Sequence, residues 1–360
     1  MTDFNAPLRL HLDGEALVAN WRFLQQQGSA PCGAAVKANG YGLGAREVVS
    51  RLRDAGCRNF FVAHWQEAAA IADLVPPQWI SVLNGIEESE IPLIRQLGAV
   101  PVLNTPKQIM MWKLAEGGPC HVMLDSGINR LGIGREQFSP ELFAALDIDI
   151  IMSHLASADD DSNQNAEQLR LFGEQTKLVN AKRRSLANSA GIMLGADYHF
   201  DLTRPGLSLY GGIARSEMAG FIKPVVRLSA RILQVRQLEA GDRVGYNGTF
   251  ICPRAMRIGT ISLGYADGYL RAFSGRGHAI HASEKMPFIG RVSMDQLAVD
   301  LSTTNEVGEG DWLEIDYDLA RCSRATVLSQ YELLTNLGDR YDRVWLKKEA
   351  GDFSPAPINT

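Results

Sequence analysis

The chain has 360 residues, 46% of them hydrophobic and 21% charged, with a formal net charge of −5; that length exceeds what one core usually needs, so two domains are expected. The acidic balance speaks against nucleic acid or an anionic membrane surface as a partner, and no run approaches the roughly 20 apolar residues of a membrane span. The start, MTDFNAPLRLHLDG, lacks the basic head and apolar core of a signal peptide, and five scattered cysteines without metal spacing fit free thiols in a reducing cytoplasm.

The first element is a strand over 8–12, followed by a helix cap at Asp13. From 30 to 212 strand and helix patterns alternate. Short apolar runs fall at 33–37, 60–63, 80–83, 100–103, 121–125, 149–153, 185–188 and 207–210, eight in all. Between them, REVVSRLRDAG puts Val48, Val49 and Leu52 on one helical face, with Gly56 to close it. TPKQIMMWKLAEGG offers Thr105 as cap, Pro106 at the first helical position and Gly117 as the stop. A longer helix is expected over 162–180, carrying Leu169, Phe172 and Leu178. Eight alternating units predict an α/β fold, a TIM-like (β/α)8 barrel over 14–222. After 222 the segments VVRLSARILQV, MRIGTISLGYA, PFIGRVSMDQLAVDL and DWLEIDY alternate with turns such as GDRVGYNGT and SGRGH. They predict a C-terminal mainly-β domain over 223–350, with one helix around 325–337. The strand 8–12 is surplus to the barrel and is expected to pair with that domain. The tail 351–360 is expected to be loose.

In such a barrel, chemistry gathers where strands end. Lys37 and then Tyr41 follow the first run, in AVKANGYGLG. Asp125 and Arg130 follow another, in LDSGINRLG; His154 comes in MSHLAS, Asn188 and Ser189 in ANSAG, Arg204 and Gly206 in LTRPGLSLYG. A desolvated ammonium is costly unless paired, deprotonated or chemically used. A glycine-rich turn lets backbone N–H groups approach an anion. The stretch 35–44 therefore suggests a nucleophilic amine beside a phosphate, although it is neither a Walker loop nor GxGxxG. Taken singly, each residue has an ordinary alternative: a surface lysine, a structural histidine, ion-paired arginines, a packing tyrosine. Together they make a basic mouth on an acidic protein, which predicts an anionic cofactor or substrate.

AVKANGYGLG resembles the pyridoxal-phosphate lysine motif of alanine racemases, AVKANAYGHG. LDSGINRLG is similar to that family's DTGMxRxG, and SHLASAD to its SHFA-type segment. ANSAG, TRPGLSLYG, GYADG, GRVSMDQ and SQYELLTNLGDR follow in family order, so the resemblance spans 8–347. It implies an isomerase that interconverts L-alanine and D-alanine with pyridoxal 5′-phosphate on Lys37. Tyr41, Ser189, the backbone around Gly206 and Leu207, and Tyr331 would hold the phosphate. Arg204 would face the pyridine nitrogen, where an arginine keeps its proton and leaves the ring neutral. Racemisation needs a base on each face of Cα, and the family uses its lysine and a tyrosine from the partner subunit. Here those are Lys37, for the proton of the D-enantiomer, and Tyr265 of GYADG, for that of the L-enantiomer. His154 and Arg204 would supply the positive field that a tyrosine base needs. Arg130 would approach the cofactor's phenolic oxygen and the substrate carboxylate, with Met294 and Asp295 bordering that site from the second subunit. The implied assembly is a head-to-tail homodimer in the cytoplasm, supplying D-alanine for peptidoglycan.

The chain departs from the family pattern at Met123, where many members carry a lysine that orients the motif arginine, and at Gly40, Leu43 and Asn84. Asp125, Asn129 or a bound anion are the candidates for holding Arg130 instead. Rival readings are a racemase of another small amino acid such as serine, a non-catalytic pyridoxal-phosphate-binding barrel, and a decarboxylase of the same architecture. The long segment after 222 and Arg204 speak against the last two.

Overall fold

A computed structural model describes residues 5–346; the tail 351–360 lies outside them. Strand β1 (Leu8–Leu12) comes first, and seven strands then form one parallel sheet in sequence order: β2 (Ala34–Ala35), β3 (Phe60–Val62), β4 (Ile80–Val82), β5 (Val100–Leu103), β6 (Cys120–Met123), β7 (Ile148–Met152) and β8 (Ala181–Ser185). β3 to β6 are buried at every position, as expected where helices cover one face and the barrel interior the other.

The closing unit differs from the sequence expectation. The run 207–210 is a buried 3₁₀ turn, Leu207–Tyr210, and not the eighth strand. A segment of four residues, Leu-Ser-Leu-Tyr, all buried, is too short for its period to separate a strand from a buried helical turn. The eighth stave is the extended stretch before it. Gly33 N–H donates to Thr203 O (2.9 Å) and Ala35 N–H to Pro205 O (2.8 Å) on one side; Asp201 N–H donates to Arg184 O (2.9 Å) and Arg204 N–H to Ala187 O (2.8 Å) on the other. Pro205 has no N–H to give, which keeps this stave from becoming a regular strand. β8 also begins earlier than the run 185–188 suggests. Its residues Lys182, Arg183 and Arg184 pair with Asp147, Asp149 and Asp201, so charge hides the strand from an apolar-run reading.

Helix boundaries shift for identifiable reasons. Thr105 Oγ1 accepts from Gln108 N (3.1 Å) and Pro106 opens the helix, but the left-handed residue that ends it is Glu116 (φ 49°), not Gly117. The long helix spans Asn163–Thr176, and Leu178 lies beyond it, exposed. The terminal helix is two, Leu319–Thr326 and Gln330–Thr335, broken where Val327 takes φ 64°.

The second sheet contains β9 (Val226–Leu238), β12 (Met256–Ile261), β13 (His278–His281), β14 (Glu284–Ile289), β15 (Leu297–Asp300), β16 (Trp312–Ile315) and β17 (Asp342–Trp345); β10 (Arg243–Val244) and β11 (Phe250–Ile251) form a separate ribbon. The order is β12-β15-β14-β13-β16-β9-β1-β17, and the far half of β9 pairs with β12, so the sheet curls back on itself. β1 lies antiparallel to β9, with Leu10 opposite Leu228, and parallel to β17. Tyr41, Tyr210, Leu228 and Leu334 belong to one buried cluster, so barrel and β sheet share a core. Among the described residues no helix is long and apolar enough to cross a membrane.

Candidate active site

The turn after β2 is left-handed. Ala38, Asn39, Gly40 and Tyr41 take φ of 52°, 53°, 63° and 54°. Each L-residue in that region costs about 1–2 kcal/mol, and such strain persists only where surroundings over-determine it. Here they do. Ala38 N–H donates to Glu67 Oε1 (2.6 Å), and Ala45 N–H to Asn39 Oδ1 (2.9 Å). Arg343 donates twice to Gly42 O (3.1 and 2.8 Å). Gly42 itself has φ 84°, and a Cβ there would lie 2.5 Å from Leu334 O, so only glycine lets the helix Gln330–Thr335 approach. The same helix is tied to the barrel by Gln330, which exchanges two 2.9 Å bonds with the backbone of Ile213.

This turn presents Lys37 and Tyr41 to a cavity of about 850 Å³ at the strand ends. Arg130, His154, Ser189, Arg204, Gly206 and Tyr331 line the same cavity. Burial, then the nearby Arg130, lower the pKa of Lys37, and Glu67 opposes them. The amine is thereby moved toward its nucleophilic neutral form.

Arg204 is 7% exposed. It donates to Ser153 O (2.5 Å) and to the Ser185 hydroxyl, its guanidinium sits 5.9 Å from the Phe61 ring centre, and it pairs with no carboxylate among the described residues. Burial brings its pKa down to about 10, which still leaves it charged at neutral pH. His154 is pushed down to about 3 by burial and then by Arg204, Arg130 and Lys37. Its imidazole is thereby held toward the neutral form, beside the guanidinium of Arg204.

The hydroxyl end of the cavity is ordered by Ser189, whose Oγ accepts from Gly206 N (2.9 Å) and Ser208 N (3.3 Å) and so keeps its own hydrogen free to donate. Leu207 is buried in the core cluster and is not among the residues that line the cavity. Burial, then Tyr331, push the Tyr41 hydroxyl well up, so it remains a neutral donor. The Tyr41 and Tyr331 rings lie 6.2 Å apart.

Arg130 rides on a loop organised by Asp125, whose carboxylate accepts from the backbone N–H groups of Gly127 (2.8 Å), Asn129 (3.1 Å) and Arg130 (3.0 Å). Asp125 thus holds the loop, not the guanidinium, and Asn129 contributes a left-handed turn (φ 53°). Met123 lines the cavity beneath it.

Tyr265, Met294 and Asp295 do not line this cavity. They form a unit on the β domain. Tyr265 N–H donates to Ser293 O and Ala266 N–H to Met294 O, both at 3.0 Å. Arg340 bridges Asp267 and Asp295 at 2.7 Å each, and the Arg271 guanidinium stands 5.1 Å from the Tyr265 ring centre. Met294 is 52% exposed. Sequence reasoning missed Glu67 and Phe61. The H-x-x-E capping pattern at 64–67, just after β3, is the one signal that points to Glu67.

Fold and site together define a β/α barrel whose strand ends gather a lysine, two arginines and several hydroxyls around one cavity. Two family models match the chain: alanine racemase, N-terminal domain, over residues 12–214, and alanine racemase, C-terminal domain, over residues 225–345. The chain belongs to the alanine racemase family. It is 38% identical over 371 aligned residues to the biosynthetic alanine racemase of Agrobacterium fabrum, covering 95% of this chain and 94% of the relative. It is 42% identical over 350 residues to an alanine racemase of Cereibacter sphaeroides, covering 94% and 98%. Among solved structures, the alanine racemase of Bartonella henselae with covalently bound pyridoxal phosphate superposes with a TM-score of 0.89 at 36% identity, over 95% of this chain and all of that one. The biosynthetic alanine racemase of Pseudomonas aeruginosa gives 0.85 at 34%, over 95% and 100%.

Proposed function

We propose that this chain is a pyridoxal-phosphate-dependent alanine racemase, interconverting L-alanine and D-alanine in the 850 Å³ cavity. One observation carries the reading: the Lys37 amine, biased toward neutrality, shares that cavity with a buried Arg204 that no carboxylate pairs among the described residues. Such a cation calls for an acceptor from a ligand. The residues present fit the cofactor in size and chemistry. Lys37 would bind its aldehyde carbon. Tyr41, Ser189, Tyr331 and the backbone at Gly206 and Leu207 would hold its phosphate, since neutral hydroxyls and N–H groups suit a dianion. Gly206 supplies a cradle that a Cβ would fill.

Bound pyridoxal phosphate supplies a conjugated, electron-accepting ring that acidifies the Cα–H of an amino acid. Arg204 would face the ring nitrogen, keep its own proton and leave that nitrogen neutral, which would favour return of a proton to Cα over transfer elsewhere. Lys37 moves the proton on one face, for the D-enantiomer. Tyr265 moves it on the other, for the L-enantiomer. What supports a head-to-tail homodimer is that Tyr265, Met294 and Asp295 stand outside their own chain's cavity, so a second copy would complete the site. Arg130 would take the substrate carboxylate. The cell would use this activity in the cytoplasm, to supply D-alanine for peptidoglycan.

The test is direct. The purified chain with pyridoxal phosphate and L-alanine should yield equal amounts of both enantiomers by chiral chromatography, and Lys37→Ala should yield none. Absence of D-alanine from the unaltered chain would overturn the reading.

A further inference from the structure

With Met123 in place of a charged partner, the Arg130 side chain has no ion pair among the described residues. Its placement must then come through the loop that carries it. That loop leads to a side chain the mechanism does not use. Gln168, on the helix Asn163–Thr176, is 1% exposed. Its Oε1 accepts from Ala156 N (2.9 Å), and its Nε2 donates to His154 O (2.9 Å) and to Ser126 Oγ (3.1 Å).

We infer that Gln168 is a positioning residue, which locks the His154 strand end and the Arg130 loop into one fixed geometry. The inference rests on the racemase reading for its kinetic readouts only. Two consecutive carbonyls show the clamp: Arg204 pulls on Ser153 O (2.5 Å), and Gln168 pulls on His154 O from the surrounding helix. The second arm runs through hydroxyls. The hydroxyls of Ser126 and Ser153, both buried, share a 2.7 Å hydrogen bond, and Gln168 donates to Ser126. Ser126 follows Asp125, the residue that gathers the backbone N–H groups up to Arg130. One turn earlier on the same helix, Gln164 Nε2 donates to Gly127 O (3.0 Å) and grips the loop again. A primary amide is the group that this site demands: one acceptor for one N–H, two donors for two oxygens. A carboxylate there would face the His154 carbonyl, and an apolar side chain would take from Ala156 N–H and His154 O the partner that Gln168 gives them and leave Ser126 with Ser153 alone.

The experiment compares amide hydrogen exchange and alanine kinetics in Gln168→Met, Ser126→Ala and the control Asn165→Ala. Asn165 binds the carbonyls of Ser157 and Asp160 (3.0 Å each) and touches neither Ser126 nor His154. Gln168→Met should speed exchange in both 126–130 and 153–156 by about ten-fold or more. It should also raise KM and lower kcat, each by about ten-fold, as a misplaced site does. Ser126→Ala should speed exchange in 126–130 alone and raise KM more than it lowers kcat. Asn165→Ala should change neither segment. Wild-type exchange over 126–130 in Gln168→Met, or the same pattern in Asn165→Ala, overturns the clamp. If Gln168→Met does not fold, Ser126→Ala decides, and unchanged exchange over 126–130 overturns it. Exchange is read on the protein itself, so a wild-type chain inactive on alanine would sink the racemase reading and leave this test standing.

Discussion

The Tyr41 hydroxyl occupies the space that a side chain on residue 206 would need: a Cβ built on Gly206 falls 2.2 Å from Tyr41 Oη. Gly206 has φ −130°, outside the left-handed region, and the close approach of the Tyr41 hydroxyl makes room the requirement there. Gly206→Ala should fold and should displace the Tyr41 hydroxyl from the proposed phosphate site. Hydrogen bonds to charged groups contribute about 1.5–3 kcal/mol, so cofactor affinity should fall by about 10- to 100-fold. Absorbance titration with pyridoxal phosphate checks this, and unchanged affinity contradicts it.

Glu67 holds the left-handed turn through Ala38 N and opposes the lowering of the Lys37 pKa. Removing the carboxylate in Glu67→Ala should lower that pKa further. Capture of pyridoxal phosphate needs the neutral amine, so the acid limb of its rate profile should move to lower pH than in the wild type. Stopped-flow absorbance across pH measures the limb. An unmoved or raised limb would show that Glu67 does not act on Lys37.

Burial, then Arg204, Arg130 and Lys37, push the His154 imidazole down to about 3 from its ordinary value of 6.5. As pH falls through 6.5 the unfolded chain takes up the proton and the folded chain does not, so stability is full above 6.5 and is lost on the way down to about 3. His154→Gln removes this contribution. Its unfolding free energy, from urea titrations, should fall less steeply with acid than that of the wild type. His121, buried and pushed down to about 4, keeps part of the slope in both proteins. Equal slopes would mean that His154 is not held neutral.

Tyr265 lies outside its own chain's cavity, so subunits lacking different bases should complement each other. Lys37→Ala and Tyr265→Phe chains should each be almost inactive. After subunit exchange, a hybrid has one site with both bases intact, and random mixing should restore about a quarter of wild-type activity. A mixture as inactive as its components would place the second base within one chain.

Much of the cavity was legible because barrel chemistry collects at strand ends. Lys37, Arg130, His154 and Ser189 each follow or close an apolar run, Arg204 precedes one, and all line one cavity. The eighth stave was not legible, since Pro205 breaks its ladder and the apolar run beside it is a 3₁₀ turn. β8 was misplaced because its charges are satisfied by neighbouring aspartates instead of being excluded from the strand. The charge state of His154 depends on burial and on three cations distant in sequence, which no local pattern reveals. Gln168 sits in an ordinary helix, and only the fold brings Ser126, His154 and Ala156 to its amide.

The measurement that bears most directly on two-base racemisation follows optical rotation and the Cα proton together, with L-alanine, pyridoxal phosphate and the purified chain in deuterated buffer. Rotation should decay to zero while deuterium enters Cα. Persistence of both rotation and proton would contradict racemisation of alanine, and exchange of the proton without loss of rotation would leave one base working alone, contrary to the pairing of Lys37 with Tyr265.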